Sequence, residues 1–121
     1  MDEKIRAYSV LGYFIGFIDG SLCKNIDSFL TEIGMAFNFP EYYGRNMNEL
    51  YECINDLEWI NEKNYLIVIS NAEYFLENES LEYHQAIWRF LDGVRTEWAS
   101  VPNYIGENEF RNIGDFVILT K

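Results

Sequence analysis

Cysteine and histidine are scarce: Cys23, Cys53 and His84 are all that the 121 residues hold, and no CxxC pair occurs. That scarcity excludes a zinc site built on those residues and a disulfide framework, and it points to a reducing cytoplasm. Cys53 is expected to be a small apolar filler. Basic residues are also few, 9 against 20 acidic, and the formal charge is -11. A bare nucleic-acid or anionic membrane surface would repel such a chain, and a basic partner would be attracted. Long hydrophobic runs are missing as well. MDEKIRAYSVLGYFIGFIDG has acids and bases ahead of its apolar residues and is interrupted by Gly12, Gly16 and Asp19. It is too short to span a bilayer and makes a poor secretion signal. With no repeat, low-complexity tract, linker, glycine loop or metal cluster, residues 1–121 are expected to form one domain, a monomer when free, without cofactor or metal.

What is present is a core. The chain is 49% hydrophobic and 17% aromatic, far too apolar for a disordered acidic tail. Tyr13 to Ile18 reads as a buried strand stopped by the turn pair Asp19-Gly20. Asp27 can cap a helix from Ser28 to about Ala36, which Asn38, Phe39 and Pro40 then break. From Asn46, the residues Met47, Leu50, Ile54 and Leu57 draw an apolar stripe at helical steps. Tyr65 to Ile69 is a continuous β-branched run, as expected of a central strand covered on both faces. Ser70 and Glu73 have capping-box spacing ahead of a brief helix, and a long helix follows from about Ser80 to Trp98. Residues 99–114 read as a long loop, and Asp115 to Thr120 closes the pattern as a strand. The order β, α, α, β, α, α, β predicts an α/β fold with a mostly parallel sheet.

The second helix raises the question of function. Asn48, Tyr51, Glu52 and Asn55 recur at i, i+3, i+4 and i+7, and so share the face opposite the apolar stripe. A solvated face would explain the amides and the acid. Tyr51 does not fit that account, and with Tyr42 and Tyr43 at the turn upstream it suits a protein-binding surface. Gly44 punctuates that turn, and Asn46 opens the helix.

PEYYG followed by Asn46, Leu50, the Cys of ECI and the Asp-Leu of NDL resembles the signature of the barstar family, small intracellular inhibitors of secreted bacterial ribonucleases. The match is dense over residues 39–57, and the order of elements agrees from about 13 to 120. The resemblance implies a three-stranded parallel sheet packed with helices, with the second helix and its preceding loop plugging a ribonuclease active site. Carried over by position, it puts Tyr42 on the binding loop and Tyr51 in the place of an aromatic contact. Glu52 takes the place of the central inhibitory aspartate, Asn48 that of another interfacial acid, and Asp92 on the long helix that of an acid at the interface edge. Tyr42, Tyr43, Gly44, Asn46, Asn48, Tyr51, Glu52, Asn55 and Asp92 are thus the expected partner-binding set, and a basic toxin, a ribonuclease first, is the expected partner. Glu52 is one methylene longer than the aspartate, and Asn48 lacks the charge.

Rival classes remain in view. Glu49 and Glu52 have only the spacing of a helix surface, and nothing converges on them for acid and base chemistry. Glu73, Glu77, Glu79 and Glu82 form a further acidic group whose simplest use is solvation, although a nucleic-acid mimic could use it. A non-nuclease toxin is the other alternative. Trp59, Trp88 and Trp98 come without a basic groove, so core packing suits them better than base stacking.

Overall fold

Three short runs of aromatic and β-branched residues build the sheet: β1 (Phe14–Asp19), β2 (Tyr65–Ser70) and β3 (Phe116–Thr120). They are seen in a computed structural model that describes residues 2–121. All pairing is parallel in the order β1-β2-β3, with Ile15 opposite Leu66 and Leu66 opposite Val117. β2 is central and buried from Tyr65 to Ile69, as a strand covered on both faces must be.

Around the sheet lie α1 (Glu3–Val10), α2 (Ile26–Ala36), α3 (Met47–Ile54) and α4 (Leu81–Ala99). One sheet face, through Ile18, Ile67, Ile69 and Phe116, joins Phe29, Ile33, Leu50, Ile54, Leu91 and Trp98 in the main core. Leu50 and Ile54 bury the inner stripe of α3, and Leu57, beyond its end in a left-handed conformation (φ 51°), joins the same core, each contributing about 1.5–3 kcal/mol as an upper figure. The opposite face, Leu66 and Val68 with Ile15, Val117 and Leu119, is covered by Ile5 and Tyr8 of α1. The α/β fold, a three-stranded parallel sheet packed with helices, is the one expected from periodicity.

One element carries no periodic signal in the sequence, and two local expectations are corrected. Asp2 caps α1 by accepting the Lys4 N–H at 2.7 Å. The cap of α2 is Asn25 rather than Asp27, because Asn25 and Ser28 close a reciprocal pair of bonds and the helix starts at Ile26. Ser70 and Glu73 form no capping box: Asn71 intervenes in a left-handed conformation (φ 48°), and the Ser70 hydroxyl reaches the Ile18 carbonyl instead. A single 3-10 turn, Ala72–Tyr74, follows.

Both cysteines are free and buried. Trp59 and Trp98 donate their indole N–H groups to the carbonyls of Phe37 and Ile54, while Trp88 packs on Phe75, so all three tryptophans serve the interior. Two of the four acids read as solvated are engaged: Glu79 accepts the Ile26 N–H, and Glu77 pairs with Lys24 at 3.3 Å.

Candidate functional site

The loop between α2 and α3 is fixed from beneath. Tyr43 lays its ring edge-on to Phe39 at 4.8 Å and donates its hydroxyl to the Leu30 carbonyl at 2.9 Å. Gly34 permits this, because a Cβ there would collide with the Tyr43 ring. Burial first, and the nearby Cys53 and Glu49, push the Tyr43 phenol up to about 12, so it remains a neutral donor. With its neighbour anchored, Tyr42 stands out at 64% exposure.

The start of α3 is fixed as tightly. Asn46 caps the helix by accepting the Glu49 N–H at 2.9 Å, and its amide donates back to the Glu49 carboxylate at 2.7 Å. The other Glu49 oxygen accepts the Gly44 N–H at 2.8 Å, in space that a side chain at position 44 would fill. Gly44, Asn46 and Glu49 therefore form one bonded unit. Its charge is partly satisfied internally, and its effect is to hold the helix that presents Asn48, Tyr51 and Glu52 to solvent.

Glu52 is exposed and makes no hydrogen bond or ion pair among the described residues. With Tyr42, Glu49, Cys53 and Asp56 it lines a cleft of about 310 Å³. No lysine or arginine lines it. Desolvation, followed by Cys53, Asp56, Glu58 and Glu52, raises the Tyr42 phenol, and burial followed by Asp56, Glu49 and Glu52 raises the Cys53 thiol. These directions register a negative potential in the cleft, which is complementary to an ammonium or guanidinium group.

Tyr51, 48% exposed, donates its hydroxyl to the Glu97 carboxylate of α4 at 2.7 Å. That bond is the first cause of its raised phenol, so it too stays a donor well above neutral pH. Glu97 was missing from the sequence reading. It sits next to the core residue Trp98 on the polar side of α4, and nothing in the helical pattern marks it as a neighbour of α3. Asp92, which the family resemblance puts at the interface edge, is exposed and bonded to Arg95 on its own helix at 2.7 Å. Five residues separate it from Glu97, which is about 140° around a helix, so the two acids leave α4 in different directions.

Asn55 requires a correction. It ends α3 as the cap residue and is buried, donating to the Tyr51 carbonyl at 2.9 Å and accepting from Arg111 at 3.4 Å. The reason is the loop over residues 99–114, which folds back over this end of the helix. Arg111 pairs with the buried Glu107 at 3.3 Å and lies 3.9 Å over the Trp98 ring. The Asn103 backbone N–H leads the bonds that hold the Glu107 carboxyl below its ordinary range. Glu107 to Glu109 form a 3-10 turn, so the segment is an ordered brace.

The arrangement brings together Tyr42, Asn48, Tyr51 and Glu52 as exposed groups, supports them with Tyr43, Gly44 and Asn46, and leaves out Asn55 and Asp92. It can bind cations and aromatic or apolar edges. Among the described residues no group of three or more His, Cys, Asp or Glu is placed to hold a metal, and no helix is long and apolar enough to cross a membrane.

A family model described as "Barstar (barnase inhibitor)" matches residues 13–110. A Bacillus subtilis (strain 168) protein named "Putative ribonuclease inhibitor YrdF" is 32% identical over 57 residues, 47% of this chain and 59% of that protein. The chain thus spans less than two thirds of the length of the curated relative it matches. α1 precedes the family match, and β3 follows it.

Proposed function

This chain belongs to the barstar family, and from that premise we propose that it is an intracellular immunity protein that binds a cognate ribonuclease and occludes its active site. The observation carrying this reading is Glu52, an exposed carboxylate without an internal partner, set between exposed tyrosines and beside Asp56.

A ribonuclease must gather lysine, arginine or histidine around the scissile phosphate to stabilise charge in its transition state. Carboxylates presented at matching places satisfy those cations, so the inhibitor competes with RNA for them. Presentation matters as much as charge. Tyr43, Asn46 and Glu49 hold the loop and helix in place before binding, so little backbone freedom remains to be lost on association. The net charge of -11 steers encounter with a basic enzyme, an effect of roughly 10- to 1,000-fold on association at low salt. Residues 1–121 act in this reading as one monomeric, cytoplasmic unit.

A second reading, a barstar-like module for a non-nuclease toxin, draws on Asn48. It offers an uncharged amide at an exposed position where the family resemblance expects an acid. Capture from the native host on immobilised protein, followed by RNA-cleavage assays on the basic protein recovered, separates the two. The leading reading expects a ribonuclease silenced at equimolar inhibitor. A partner without nuclease activity, or one whose cleavage persists under excess inhibitor, overturns it.

A further inference from the structure

Resting on the ribonuclease-inhibitor reading, we propose that the partner interface runs past α3, across Asp56, onto the loop over residues 99–114, with Phe110 as its apolar anchor. Asp56 borders two depressions. One is the acidic cleft with Tyr42 and Glu52; the other, of about 130 Å³, is lined by Glu58, Lys63, Trp98, Phe110 and Arg111 among others. The two surfaces are therefore continuous.

Phe110 is 79% exposed, and Tyr104 and Ile105 on the same loop also stand in solvent. Large apolar groups are expected in the open on a slack segment, but this one is tied down at several points. Glu107 takes bonds from Asn103 and Arg111, Arg111 reaches Asn55 of α3 and covers Trp98, and Asn103 also donates to the Glu97 carbonyl. A rim of apolar side chains held at fixed positions beside a charged face is the composition of a protein interface.

Each half of the surface then has its own role. The acids on α3 govern encounter and its salt dependence, and the apolar loop slows departure. The occupant is a basic ribonuclease whose cationic site is bordered by an apolar patch.

The test uses the full chain and, as probe, the ribonuclease recovered by the capture described above. Phe110→Ser is expected to raise the dissociation rate about tenfold while leaving the association rate and its salt dependence unchanged. Phe110→Leu should restore slow dissociation, and matched melting curves would show that both variants fold. Glu52→Ala, measured alongside, should speed dissociation and, unlike the loop variant, also slow association and flatten the salt dependence. If Phe110→Ser binds like the parent while Glu52→Ala is weakened, the loop is not part of the interface and the inhibitor reading stands. Should neither variant change binding, both fall. A dimer of the free protein that Phe110→Ser dissolves would assign Phe110 to a second copy of the chain and overturn the proposal.

Discussion

Glu107, on the loop after α4, is 3% exposed, takes N–H groups from Asn103 and pairs with Arg111. Glu52, on the outer face of α3, is exposed and bonded to nothing among the described residues. The two residues are chemically identical, and their surroundings assign them opposite uses. An acid whose lone pairs are filled inside the fold has little left to offer a partner, and it cannot be removed without leaving Arg111 buried and uncompensated. An acid left open in water contributes little to stability and keeps its charge for whatever arrives. Glu49 lies between these cases: it is bonded to Gly44 and Asn46, yet it still borders the cleft.

Substitutions can break this contrast or sharpen it. The largest effect is expected from Trp98→Ala, which removes the buried ring beneath Arg111 and its bond to the Ile54 carbonyl. Chemical denaturation should show a loss of about 3–5 kcal/mol. Glu52→Ala should do the reverse: affinity for the ribonuclease falls by about 2–5 kcal/mol, while stability stays within about 0.5 kcal/mol. A fall in melting temperature with unchanged affinity would erase the distinction between the two acids.

The third effect is one of pH. The folded Glu107 carboxyl lies below its ordinary value of 4.5, held there mainly by the Asn103 N–H. Its stabilisation is therefore complete above that value and is lost as pH falls through the lower, folded one. Hydrogen-exchange protection over residues 99–114, taken relative to the intrinsic rate at each pH, should hold down to about pH 4.5 and fall below it. In Glu107→Gln the loop should exchange faster at neutral pH and lose most of that acid dependence. The smallest effect is expected from Tyr51→Phe, which deletes the bond to Glu97 on an exposed ring. Stability should change by no more than about 1 kcal/mol.

How much of this was legible in the sequence followed the range of the interactions involved. The strands and the α3 stripe as far as Ile54 rest on periodicity, a local signal, and they lie where periodicity puts them; Leu57, expected on the same helix, enters the core from beyond its end with φ 51°. α1 was not legible, since Ile5 and Tyr8 give it only two anchoring positions and its partner is a sheet face made by distant strands. Asn55 has the right helical phase for the solvent face, but the polar loop carrying Glu107 and Arg111 returns from more than fifty residues away to cover it. Glu97 meets Tyr51 because of how α4 is rotated against α3, which no count along a single helix reveals.

The central claim is that the outer face of α3 occupies the place of RNA. Its most direct test is steady-state cleavage of a short RNA by the captured ribonuclease at several fixed inhibitor concentrations, with Glu52→Ala as the weakened form. Competition predicts that the inhibitor concentration giving half inhibition, beyond half the enzyme concentration, climbs linearly with RNA concentration at equilibrium, and the climb should be plainest in the weaker variant. A half-inhibiting concentration that does not move with RNA would place the inhibitor outside the active site and contradict the account.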